Sequence, residues 1–117
     1  MRRTFIAAAL AAVVFAGCGG DDDAEPLALS SPEDGALEFD KTELTAPAGS
    51  VSITYSNPSQ VPHAVALEGN GVEEVGETVT ASEAPPLTAE LEPGTYTFYC
   101  PVGNHRAAGM EGTLTVE

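Results

Sequence analysis

The C-terminal stretch EPGTYTFYCPVGNHRAAGMEGTLTVE, residues 92–117, reads as two strands joined by a loop rich in chemically capable side chains. Glu92-Pro93-Gly94-Thr95 has the composition of a tight turn. Tyr96, Phe98 and Cys100 share one parity after it, so they face one side of a strand whose side chains alternate. Leu114 and Val116 repeat that pattern in a last strand over 113–117, which leaves 101–111 as a loop between neighbouring strands.

Upstream the texture is the same. Val51, Ile53 and Tyr55 alternate with Ser52, Thr54 and Ser56 until Asn57-Pro58 ends the run. His63, Val65 and Leu67 share one parity, as do Leu87, Ala89 and Leu91. Gly, Pro and Asn recur every 8 to 12 residues or so, and no stretch after residue 36 carries a helical period. The expected fold is all-β, an antiparallel β-sandwich or barrel over residues 36–117.

The rest of the chain reads as targeting and spacing. Arg2 and Arg3 precede an apolar run from Phe5 to Ala16, too short to span a bilayer as a helix, so residues 1–17 are expected to be an export signal peptide. Phe15-Ala16-Gly17-Cys18 resembles a bacterial lipobox, which makes Cys18 the expected lipid anchor. Residues 18–35 are acidic and rich in Gly, Pro and Ser, the composition of a disordered tether with a reach of roughly 20 to 25 Å. Localisation at the outer face of the cytoplasmic membrane follows, on the periplasmic side where there are two membranes.

The chain has 4 basic and 18 acidic residues; with Arg2 and Arg3 removed alongside the signal, the balance becomes −16. Such a domain repels nucleic acid and anionic lipid surfaces, so contact with the membrane is expected through the anchor alone. Partners are expected to be neutral or basic.

With Cys18 committed to lipid, Cys100 has no disulfide partner, and a small exported domain needs another staple, such as a metal. Parity turns Cys100 and His63 inward at strand ends, while His105 and Met110 lie on the loop that starts at Cys100. Singly, each has an ordinary reading as core or loop residue. Jointly they draw attention, because the chain has only 2 histidines and both flank this cysteine in the expected geometry. Thiolate and thioether are soft, imidazole is borderline, and no carboxylate is in the set, which points to copper or zinc rather than magnesium or calcium. A thioether is a poor fourth ligand for structural zinc, whereas two imidazoles, a thiolate and a weak axial methionine suit a blue copper site.

The run YCPVGNHRAAGM from Tyr99 to Met110, with NPSQVPH from Asn57 to His63 upstream, resembles the cupredoxins, the plastocyanin and azurin family of small blue copper proteins. The Cys-x4-His-x4-Met spacing is most similar to auracyanin-like members. The resemblance implies a Greek-key β-sandwich holding one type 1 copper, with His63, Cys100 and His105 as metal ligands and Met110 axial. It implies single-electron transport between transient redox partners, with His105 as electron port inside an apolar patch of Val61, Pro62, Val102, Ala107 and Ala108. Many members carry Asn after the first ligand histidine; Ala64 stands there, leaving the potential open and Asn57 and Asn104 as candidates to compensate.

Two other functions compete. A copper carrier for an exported cuproenzyme shares the metal, but such carriers favour methionine-rich sites and this chain has 2 methionines, one the initiator. A Cys100–His105 nucleophile pair lacks an orienting acid in the motif, so the protein is expected not to be an enzyme.

Overall fold

Alternation carries directly into burial along Gly49–Asn57, where Val51, Ile53, Tyr55 and Asn57 are buried and Ser52, Thr54 and Ser56 half-buried. In the computed structural model, which describes residues 26–117, this strand belongs to the series β1 (Leu27–Ser30), β2 (Glu43–Ala46), β3 (Gly49–Asn57), β4 (Ala66–Gly69), β5 (Val72–Val75), β6 (Ser82–Leu91), β7 (Gly94–Tyr99) and β8 (Glu111–Val116). Two sheets result, of order β1-β3-β6 and β2-β8-β7-β4-β5. The all-β sandwich expected from the sequence is the observed architecture.

Two expectations need correction. Not every pair is antiparallel: β1 runs parallel to β3, and β2 parallel to β8. A parallel pair requires a long crossover, and the chain between β1 and β3 supplies one by passing through β2 in the other sheet. The disordered tether of 18–35 also ends too late, since Leu27 to Ser30 pair with Ile53 to Ser56 as β1. Averaged composition hid Leu29, which is buried in the core, and Ser31, whose buried hydroxyl shares a hydrogen bond with the Tyr55 hydroxyl. Burial pushes the Tyr55 phenol up to about 12, so it stays a neutral partner. The signal peptide, Cys18 and the tether up to residue 25 lie outside the described residues.

The core fills the space between the sheets. Leu29, Val51, Ile53, Tyr55 and Leu91 from one sheet meet Leu44, Leu67, Tyr96, Phe98, Leu114 and Val116 from the other. Phe39 closes one margin, edge-on to Tyr55 at 5.7 Å and to Phe98 at 5.5 Å between ring centroids. The edges are blunted by chemistry the sequence supplies. Pro85 and Pro86 lie in β6, on the edge of its sheet, where a register shift opposite Ile53 and Tyr55 accommodates them. Edge strand β5 carries Glu73 and Glu74, which discourage pairing with another chain. Asn70 (φ 48°) and Gly71 (φ 81°) make the two-residue turn between β4 and β5, both in the left-handed region such a turn needs.

The pairing that matters most for the site is β7 with β8, where Gly112 stands opposite Phe98. A Cβ at Gly112 would collide with the Phe98 ring and lie 2.6 Å from the Thr42 carbonyl oxygen. Gly112→Ala is therefore expected to cost about 1–3 kcal/mol, the usual range for overpacking. Urea unfolding measures it, and an unchanged midpoint would mean that Phe98 can yield at no cost.

Candidate metal centre

β7 and β8 deliver two side chains to the same end of the sandwich. Cys100 follows the last residue of β7 and Met110 precedes the first of β8. Their backbones extend the ladder by one step: the Cys100 N–H donates to the Met110 carbonyl at 3.0 Å, and the Met110 N–H donates to the His105 carbonyl at 3.1 Å. Inside the loop, His105 N–H donates to Val102 O, Ala108 N–H to Asn104 O and Gly109 N–H to Arg106 O, each at 3.0 Å. The loop is thus a wound series of turns whose own backbone bonds set where His105 stands.

His63 arrives from the other direction, on the segment between β3 and β4. A two-way bridge holds its backbone, with His63 N–H donating to Val79 O at 3.1 Å and Val79 N–H to His63 O at 2.8 Å. The result is convergence. Nδ1 of His63 lies 3.2 Å from Nδ1 of His105, and the Cys100 Sγ lies 3.5 Å from the His105 nitrogen and 4.0 Å from that of His63. Within the cluster the possible ligand atoms of these three residues lie within 4.8 Å of one another. Met110 is fully buried and packs in the same core cluster as Cys100. Every residue the sequence nominated near the loop comes to this one end; Cys18 falls outside the described residues.

The electrostatics suit a cation. Burial, reinforced by neighbouring His105, holds the His63 imidazole below its ordinary range, which keeps it neutral and able to donate a lone pair. Two imidazole nitrogens at 3.2 Å share at most one proton between them, and the far nitrogen of His63, Nε2, is buried with no hydrogen-bond partner. Two imidazoles and a thiol that converge at this end, with no carboxylate among them and buried Met110 in the same core cluster as Cys100, fit a single type 1 copper ion.

From the sequence, Arg106 is expected to pair internally with one of many carboxylates or stay solvated rather than guide an acidic partner, but which groups it meets depends on the fold. Arg106 donates to Glu68 on β4 at 2.6 Å and to Glu111 on β8 at 3.1 Å, and its guanidinium stacks 4.1 Å from the centre of the Tyr99 ring. The cation after His105 therefore pins the loop to the sheet. Asn57, which the sequence offered as a strand terminator and a possible compensator for Ala64, is buried beside the His63 arm; Asn104, the other candidate, is exposed.

Comparison with known proteins agrees with this geometry. The profile of copper binding proteins of the plastocyanin/azurin family matches residues 28–117. The chain is 36% identical over 67 residues to plastocyanin of Dryopteris crassirhizoma, a match covering 56% of this chain and 64% of that one, less than two thirds of the relative's length. To plastocyanin of Solanum tuberosum it is 33% identical over 101 residues, covering 75% of this chain and 96% of the relative. Among solved structures, dithionite-reduced auracyanin from Roseiflexus castenholzii superposes with a TM-score of 0.67 at 23% identity, over 79% of this chain and 96% of that one, a likeness of fold. A sandwich with this strand order, a buried His-Cys-His cluster at one end and a family match over nearly all described residues lead to one conclusion: the chain belongs to the plastocyanin/azurin family of copper-binding proteins.

Proposed function

We propose that this protein carries single electrons between redox partners through one copper ion held by His63, Cys100 and His105, with Met110 as the weak axial ligand. The observation that carries the reading is the convergence of the three donors within 4.8 Å at a buried sheet end. Copper there supplies a one-electron couple. The protein supplies rigidity: Cys100 and Met110 are fixed by ladder hydrogen bonds and His63 by its bridge to Val79, so little rearrangement need accompany each electron. Burial of Cys100, His63 and Met110 also favours retention of the metal over delivery, which weighs against a carrier.

His105 is the least buried donor and serves in this proposal as the electron port, with exposed Pro62, Ala107 and Ala108 and half-buried Val61 and Val102 as its apolar rim. A small rim of this kind suits partners that dissociate quickly. Arg106 does not guide them, because its guanidinium is already committed to two carboxylates. The signal over 1–17 and the lipid on Cys18 complete the proposal, holding the domain at the outer face of the cytoplasmic membrane.

The test is the full chain with one equivalent of Cu(II). An intense thiolate-to-copper band with narrow copper hyperfine splitting is expected; a pale protein that binds only Cu(I) would favour the carrier instead. Cys100→Ser should abolish the colour, and full colour in that variant would remove Cys100 as a ligand. Met110→Leu should keep the colour and raise the reduction potential, because a donor that stabilises the oxidised ion has gone.

Arg106→Gln should lower stability by no more than about 1 kcal/mol, as for surface ion pairs, and leave the ionic-strength dependence of electron transfer unchanged. A flattened salt dependence would make Arg106 a docking cation and overturn this assignment. Protons compete with metal at His63. Its folded pKa is depressed, so as pH falls through 6.5 the unfolded chain takes up a proton first, and the metal-free fold loses stability until the folded imidazole titrates too. Relative to His63→Gln, the metal-free wild type should lose urea midpoint on acidification below 6.5; parallel curves would refute the assignment.

A further inference from the structure

We infer that Asn57 is the positioning residue for His63, fixing a ligand it never touches; the inference rests on the copper reading of the cluster. Asn57 ends β3 on the inward parity of Val51, Ile53 and Tyr55, a core slot filled by a polar side chain that is 0% exposed. A buried amide is tolerated only when its hydrogen bonds are made. Here all are made. Nδ2 donates to Val61 O at 2.8 Å and to Val79 O at 2.7 Å, while Oδ1 accepts from Ser59 N at 3.1 Å and from Ser59 Oγ at 2.7 Å. An asparagine side chain has two donors and two lone pairs, so its capacity is exhausted.

The partners define the role. The Val79 carbonyl that accepts from Asn57 also accepts the backbone N–H of His63, so one oxygen joins the amide to the ligand residue. Val61, the other acceptor, lies two residues before His63 on the same arm. Asn57 therefore grips both the arm and the segment it leans on. The imidazole needs this, because Nε2 of His63 is buried with no hydrogen-bond partner, so no hydrogen bond orients the ring from its far side. Metal-binding histidines are ordinarily aimed by a bond from the second ring nitrogen. In this chain the aim comes through the backbone, and the backbone is held by Asn57.

Ser59 supplies the control, since Ser59→Ala removes a buried partner of the same amide, together with the two bonds its hydroxyl makes to the Val61 backbone, but leaves both Nδ2 bonds in place. The experiment compares Asn57→Ala and Ser59→Ala in the full chain. In the metal-free proteins, amide hydrogen exchange at His63 and Val79 should accelerate about tenfold more than at the β7–β8 amides in Asn57→Ala, and track them in Ser59→Ala. In the copper-loaded proteins, Asn57→Ala should lose Cu(II) about tenfold faster, the lower end for losing a partner that orients a ligand, and show altered hyperfine splitting. Exchange that rises equally everywhere, or an unaltered spectrum and release rate, would reduce Asn57 to a fold residue and overturn the inference. Should Asn57→Ala not fold, the wild type decides: the Asn57 side-chain amide protons must exchange at least about tenfold more slowly than those of exposed Asn104, with or without copper, and equal rates overturn the clamp. The metal-free readouts stand whether or not copper binds, so failure of the copper reading and failure of the clamp are separately visible.

Discussion

The ladder between β7 and β8 is the constraint on which the site depends. Its last bond, from Cys100 N–H to Met110 O, closes the intervening loop at its base, so that loop must turn tightly enough to return its ends to strand spacing. Once the base is fixed, the turns at Val102, Asn104 and Arg106 leave His105 little freedom of position. The thiol and the thioether need no further support, because the core behind them is packed. Phe98, Tyr96 and Leu114 share the buried cluster with Cys100 and Met110, and such interiors are as dense as organic crystals. A ligand set on this base is prearranged, and reorganisation at the metal would have to be forced on a packed sheet.

The two histidines are held by opposite kinds of interaction. His105 sits on a loop pinned from outside by a charged cluster of Arg106, Glu68 and Glu111, each 39–48% exposed. Such pairs contribute little energy and weaken with salt. His63 is held by neutral hydrogen bonds from a fully buried amide, which salt does not screen. The port histidine of the proposed electron carrier therefore has the softer mounting, and the interior ligand the stiffer one.

The C-terminal half of this arrangement was legible in the sequence. Parity along 96–100 and 114–116 placed the strands, and the spacing from Cys100 to Met110 placed three donors near one another. Asn70-Gly71, the turn between β4 and β5, is a local signal of the same kind, which the general recurrence of Gly, Pro and Asn did not single out. What was not legible was what needs a distant partner. β1 is four residues long and is a strand only because β3 offers it an edge. The parallel pairings leave no trace in alternation. Asn57 before Pro58 reads as a terminator, and its second role depends on Val79, 22 residues away. Arg106 had 18 carboxylates to choose from, and only the fold selects Glu68 and Glu111.

For the proposed electron carrier, two effects on the potential then oppose each other. Oxidation adds a positive charge, which the surplus of acidic residues favours, including the net negative cluster formed by one guanidinium and two carboxylates beside the loop. Burial works the other way, since a dry site penalises the more highly charged state. Distance and solvent decide between them. Exposed charges are screened beyond about 8 to 10 Å at ordinary ionic strength, whereas Cys100, Met110 and His63 have no exposure at all. The interior term does not fade with salt whereas the exposed charges do, so in the proposed carrier burial of the site weighs on the potential at any ionic strength, and the acidity of the chain bears chiefly on encounter with partners.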